Sequence, residues 1–263
     1  MPVAFLPHGG GPWPWVNLGI PKAEYDGLAE YLRHVGTLTP EKPKALLVVS
    51  AHWEENVPTV MTAKAPPMFY DYYGFPQESY RIEWPAPGEP ALAEKVRGLL
   101  SNAGFETAED AHRGYDHGTF VPLKLSYPEA DVPVVQLSLM HDLDAAEHLK
   151  LGRALAPLRD EGVFILGSGN TFHNMRGFGN PAAREGAAQF DEWLRRAVSG
   201  TDAATRDEAL AHWEKAPFAR FCHPREEHLL PLMVAAGAAG EDRAVTSWNG
   251  TFMGIVASGF HFG

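Results

Sequence analysis

Short apolar runs rich in β-branched residues alternate with longer stretches of helical period along the chain. Runs at 3–6, 45–49, 132–138 and 163–166 are apolar on both parities, which predicts strands buried on both faces. Segment 56–62, where Val57, Thr59 and Met61 alternate with Val60, reads as a shorter strand, and 244–248 and 253–262 read as two closing strands. Helical spacing predicts helices over 24–35, with Leu28, Tyr31, Leu32 and Val35 on one face, and over 89–103, 120–126, 144–160 and 183–198. An exposed amphipathic helix is predicted over 203–213 and a further helix over 224–236, opened by Pro224. Strands alternating with helices predict an α/β fold with a central mixed, mainly parallel sheet flanked by helices. No repeat, low-complexity tract or linker interrupts the pattern, so 1–263 is expected to be one catalytic domain.

Four histidines lie just beyond the ends of four of these runs: His8, His52, His141 and His173. Ligands of open α/β sheets bind beyond the carboxyl ends of the strands, so the pattern predicts imidazoles converging on one crevice. Histidine is the commonest metal ligand and the usual proton carrier near neutral pH. Taken alone, His52 reads more readily as a strand cap against Trp53, and the lesser alternative for His173 is a loop residue in solvent. The segment 65–88, rich in Pro, Tyr, Phe and Gly, is long for a loop in a compact domain. It is expected either to wall a pocket or to patch the core with its aromatics.

Composition narrows the classes. The 263 residues carry a formal net charge of -11 and show no clustered Lys/Arg run, which argues against nucleic acid and gives no reason to expect an anionic membrane partner. No apolar stretch is long enough for a membrane helix, and no basic region followed by an apolar core opens the chain. The single cysteine, Cys222, can make neither an internal disulfide nor a Cys-rich zinc site, which suits a cytoplasmic location. Twelve histidines strengthen the expectation of metal.

His8-Gly9-Gly10-Gly11-Pro12 has neither the dinucleotide-binding nor the P-loop spacing, so a histidine held at a strand end explains it better than a phosphate cradle. His117 follows Tyr115-Asp116, and Asp116 or the loop backbone could fix its tautomer. The Gly167-Ser168-Gly169-Asn170 loop before His173 suits an acid–base residue. His223 and His228 are five apart, too far round a helix to share a face, and Glu227 is a candidate carboxylate ligand. No Gly-x-Ser-x-Gly elbow is present, and Cys222 beside His223 is a weak nucleophile candidate. The histidines outside these segments (His34, His112, His148, His212 and His261) are expected to be structural or solvated.

Five segments together carry a resemblance: Leu6-Pro7-His8-Gly9-Gly10-Gly11-Pro12, Ser50-Ala51-His52-Trp53, residues 113–123 from Arg113-Gly114-Tyr115-Asp116-His117, residues 167–174, and residues 223–232 from His223-Pro224-Arg225-Glu226-Glu227-His228. In this order, spanning nearly the whole chain, they resemble the DOPA-dioxygenase group of class III extradiol ring-cleavage dioxygenases, relatives of the catalytic subunit of protocatechuate 4,5-dioxygenase. The resemblance implies one mononuclear divalent metal, Fe(II) for activity, with Zn(II) also suited to an all-histidine site. It implies His8, His52 and His228 as ligands, although the third position in the best-known members is a glutamate. It further implies His173 as the acid–base residue and His117 as a second pocket histidine. Asp116, Tyr115 and His223 are weaker candidates for substrate contact. The implied partners are a small aromatic diol and O2. A zinc-dependent hydrolase on the same histidines, or a non-enzymatic binding protein of the same fold, are the competing expectations.

Overall fold

The computed structural model describes residues 1–263, and all eight strands belong to one sheet. In chain order the strands are β1 (Val3–Pro7), β2 (Ala45–Glu55), β3 (Thr59–Met61), β4 (Ala108–Asp110), β5 (Val134–Met140), β6 (Val163–Gly169), β7 (Ala244–Phe252) and β8 (Ile255–Phe262). The helices are α1 (Asp26–His34), α2 (Pro90–Asn102), α3 (His117–Ser126), α4 (Ala145–Leu155), α5 (Arg184–Ser199), α6 (Ala203–Ala211), α7 (Ala219–Cys222) and α8 (Leu230–Ala239). The spatial strand order is β4-β3-β5-β2-β6-β1-β8-β7. The central four, β5-β2-β6-β1, run parallel, and β8 and β7 extend the sheet antiparallel beyond β1.

The central strands read as unbroken apolar runs because both faces are covered. Val3 and Phe5 of β1 join one core with Leu47 and Val49 of β2, while Ala4, Leu6, Leu46 and Val48 join the other. Helices α2, α4, α5 and α8 contribute to the first core; α1, α3 and the aromatic segment contribute to the second. α8 is buried along its entire length, and its sequence of small and aliphatic residues has no polar face.

Four expected elements differ. β2 runs on to Glu55, with a register shift against β5 between Val49 and Glu54, so His52 lies in an irregular stretch of strand rather than past its end. α3 starts at His117 instead of 120, because Asp116 caps it by accepting from the Thr119 N–H. The helix expected from Pro224 starts at Leu230, with Pro231 in its first turn, which leaves His228 in the preceding turn. α6 is not a solvated amphipathic helix alone: Arg206 is buried and donates to the carbonyls of Ala236 in α8 and of Gly240 and Asp242 just beyond it.

Residues 65–88 contain one short 3₁₀ turn, Gln77–Arg81. Tyr72, Ile82 and Trp84 are buried in the second core, and Met68 and Gly88 bridge to Tyr115 and Val134. The segment therefore patches the core, and it also brings Asp71 and Tyr72 to the histidines. No helix is long and apolar enough to cross a membrane.

Candidate metal centre

Five histidines from five parts of the chain meet at the carboxyl edge of β1, β2 and β6. His8 follows β1, where Gly9 at φ 78° turns the chain so tightly that a Cβ there would lie 2.2 Å from Trp13 Nε1. Trp13 Nε1 donates to the His8 carbonyl at 2.7 Å and closes the turn. His52 comes from the irregular end of β2, and His117 from the first turn of α3. His173 follows β6, and its N–H donates to the Cys222 carbonyl.

His228 reaches the group because β6 ends in Gly167-Ser168-Gly169. A Cβ at Gly169 would lie 2.1 Å from the His228 carbonyl oxygen, and one at Gly167 would lie 2.2 Å from that of Pro231. Only glycine lets the 228–231 backbone close onto the strand, and the Asn170 N–H then donates to His228 O at 2.9 Å.

His52 Nε2 lies 3.1 Å from His8 Nε2 and 3.2 Å from His228 Nε2. Nitrogens bound to one small divalent ion at about 2.1 Å can share such separations. Donor atoms within 4.8 Å of one another form two groups, His8–His52–His117 and His173–Glu227–His228. The 3.2 Å contact from His52 to His228 links the two groups through ring nitrogens, and the Glu227 oxygen faces outer ring nitrogens. The Nε2 atoms of His8, His52 and His228 are therefore the better-matched donor set.

The outer nitrogens support this. The Ser168 hydroxyl donates to the Gly118 carbonyl, so its oxygen accepts from His8 Nδ1 at 3.0 Å. Glu227 Oε1 lies 2.9 Å from Nδ1 of both His173 and His228. A carboxylate is acceptor-only, so both Nδ1 atoms carry hydrogen. Asp71 Oδ1 similarly accepts from His117 Nδ1 at 2.8 Å and from its backbone N–H at 2.9 Å. Rings that donate through Nδ1 to fixed acceptors turn bare Nε2 atoms inward, as metal-binding imidazoles do.

Electrostatics keep these lone pairs free. Burial, and then the neighbouring imidazoles, hold the pKa values of His8 and His228 well below the usual value. His52 is lowered by burial and His117, against the opposing charge of Asp71. Burial alone would raise the Glu227 pKa, but the His173 hydrogen bond, the backbone N–H and the charges of His173 and Arg225 outweigh it, and the carboxyl is held below its usual range.

The structure brings His8, His52, His117, His173 and His228 together. His141 does not join them: it is exposed, 3.5 Å from Glu54. Tyr115 is fully buried with its hydroxyl on the carbonyls of Ala86, Pro87 and Val134. Asp116, also fully buried, accepts from Ser50, Gln136, Thr119 and Arg113. His223 is buried against Phe190 and Trp213, and burial pushes its pKa down to about 3. All three are buried away from the surface. Arg113 pairs with Asp116, and Arg225 pairs with Glu54 and Glu227.

Asp71 and Ser168 were not singled out from sequence. Ser168 sat in a noted loop; Asp71 had no signal beyond its place in the aromatic segment.

Comparisons with known proteins agree with this architecture. A 4,5-DOPA dioxygenase extradiol of Beta vulgaris is 45% identical over 222 residues, 81% of each chain. The 4,5-DOPA dioxygenase extradiol of Escherichia coli (strain K12) is 35% identical over 212 residues, 80% of this chain and 78% of its own. The crystal structure of an uncharacterized protein from Escherichia coli K12 superposes with a TM-score of 0.78 at 28% identity, covering 100% of both chains. Residues 3–263 match the family described as the catalytic LigB subunit of aromatic ring-opening dioxygenase. With a match that runs through all but the first two residues, the chain belongs to this family of ring-opening dioxygenases.

Proposed function

We propose that the protein is an extradiol dioxygenase that opens a catechol-type ring with O2, using one divalent metal held by His8, His52 and His228. The observation that carries this reading is the convergence of three Nε2 atoms, with the outer nitrogens of His8 and His228 engaged by oxygens and that of His52 facing one. Fe(II) is the working metal in this reading, and the same neutral donor set also suits Zn(II). When bound, the ferrous ion supplies a common site for the catechol oxygens and O2 and a path for electrons between them.

The chain's own residues handle protons and position. His173 Nε2 takes the phenolic proton of the substrate and later returns it, while Glu227 on its Nδ1 offsets the positive charge. His117 donates or accepts at Nε2 toward an oxygen of the substrate or of O2, steadied from behind by Asp71. Tyr72 packs edge-on against His117, with ring centroids 5.8 Å apart, and supplies an apolar flank for a flat ring. Both atoms of O2 enter the product, a ring-opened semialdehyde acid, so substrate and oxygen are consumed one to one. A reducing compartment such as the cytosol suits a ferrous ion and the unpaired, buried Cys222.

The test is anaerobic loading with Fe(II), then oxygen uptake and visible absorbance against a panel of catechols that includes DOPA. One O2 consumed per catechol, with a new yellow product, is expected. Bound iron without uptake on any catechol overturns the reading, and ester or amide hydrolysis that persists without O2 and with Zn(II) moves the assignment to a hydrolase.

A further inference from the structure

Among the three inward-facing rings, His52 is the one whose tautomer no short hydrogen bond settles. His8 is fixed by Ser168 and His228 by Glu227. The Nδ1 of His52 instead faces Asp71 Oδ2 at 3.5 Å. Its Nε2 points at two acceptors, the bare Nε2 atoms of His8 and His228. Left to those neighbours, His52 would carry its hydrogen on Nε2 and donate it into the centre, where it would occupy the space a metal needs. The opposing influence is the negative charge beside Nδ1. Asp71 is largely buried, with its side chain 11% exposed, and its other oxygen already takes two bonds from His117.

We propose that Asp71 is a positioning residue for the metal centre: it holds the His52 hydrogen on Nδ1, and by gripping His117 it ties the aromatic segment 65–88 to the centre. The inference rests on the reading of His52 as a ligand. One carboxylate thus sets two rings, His52 through Oδ2 and His117 through Oδ1, and it does so from a segment with little regular structure of its own. Outer partners of this kind change metal affinity by about 10- to 100-fold when removed.

Two substitutions separate the two roles. Asp71→Asn keeps an oxygen for both His117 bonds but turns an N–H toward His52 Nδ1, which favours the Nε2–H tautomer. Asp71→Ala removes both functions. Co(II) titration followed by visible absorption is expected to show affinity about 10- to 100-fold weaker for both variants. Chymotrypsin cleavage within 65–88, at Phe69, Tyr70, Tyr72 or Tyr73, is expected to accelerate for Asp71→Ala and to stay near the wild-type rate for Asp71→Asn. Co(II) affinity within twofold of wild type for Asp71→Asn overturns the positioning role. Equal cleavage of wild type and Asp71→Ala overturns the tie to the segment. His52→Ala serves as the control: if it still binds Co(II) as wild type does, the ligand reading itself fails, a result distinct from failure at Asp71. Imidazole 15N–1H spectra of the metal-free wild-type protein decide independently of how the variants fold. A hydrogen on His52 Nδ1 supports the proposal, and one on Nε2 overturns it.

Discussion

The rings of His173 and His228 lie face to face, with centroids 3.3 Å apart and planes 18° from parallel. Both donate through Nδ1 to the same oxygen of Glu227. In the proposed function, a proton carrier and a metal ligand are thereby set side by side on one anion. A proton gained at His173 would place positive charge against a ligand ring, and the shared carboxylate is what makes that arrangement tolerable in a buried site.

His173→Phe retains a flat ring against His228 and deletes the proposed proton carrier. Metal content by mass spectrometry should match wild type, while kcat for ring cleavage falls by about 10²- to 10⁴-fold. Turnover near the wild-type level would remove His173 from the acid–base role.

Glu227→Gln keeps the shape and an acceptor oxygen but removes the charge. Metal affinity should weaken by about tenfold, as for other outer partners of ligand imidazoles. The kcat should fall further than this loss of affinity explains, because protonated His173 loses its counter-charge. Assays at saturating metal separate the two effects; unchanged kcat under those conditions would show that the charge is dispensable.

The metal-free protein should be acid-sensitive. His8, His52, His228 and His148 have pKa values lowered chiefly by burial, and burial takes His223 to about 3. Below about pH 6.5 the unfolded chain binds protons that the folded chain refuses, so stability falls with pH from there toward the folded-state values. The slope is up to about 1.4 kcal/mol per pH unit for each histidine. Urea unfolding at pH 7.5, 6.5 and 5.5 measures it, and a flat profile over that range would contradict the burial of these rings as neutral groups.

Gly169→Ala would drive a Cβ to 2.1 Å from the His228 carbonyl, so the 228–231 backbone must retreat from β6. A loss of about 1–3 kcal/mol is expected, accompanied by lower metal occupancy. Gly98→Ala in α2 is the matched control. Nothing lies within 4 Å of its added Cβ, and it should stabilise by about 0.5–1 kcal/mol. Thermal melts with metal analysis compare the two.

Most of the sheet was legible because its central strands are apolar on both parities, as strands covered on two faces must be. The histidines were legible because β1 and β6 end where Gly and Ser interrupt those runs. His141 broke the rule: β5 ends at Met140, yet the next residue turns outward toward Glu54. The start of α8 is not legible because Pro224 and Pro231 both offer a helix start, and the second is the one whose backbone lies against β6. Asp71 was not legible at all. Nothing local distinguishes it from other acids in loops, since its meaning comes from His52 and His117, which meet it only in three dimensions.

The order β2-β6-β1 means that His8 and His52 hang from strands separated by a third, and His8 finds its Ser168 partner 160 positions along the chain. His228 joins His52 across 176 positions. Such a centre has no local precursor. Contacts this remote form slowly, after the entropy of closing long loops has been overcome. A metal ion therefore cannot template early folding here; it can only recognise the finished sheet. Bound metal should act mainly on the unfolding limb of the kinetics, as a clasp fastened last and released first.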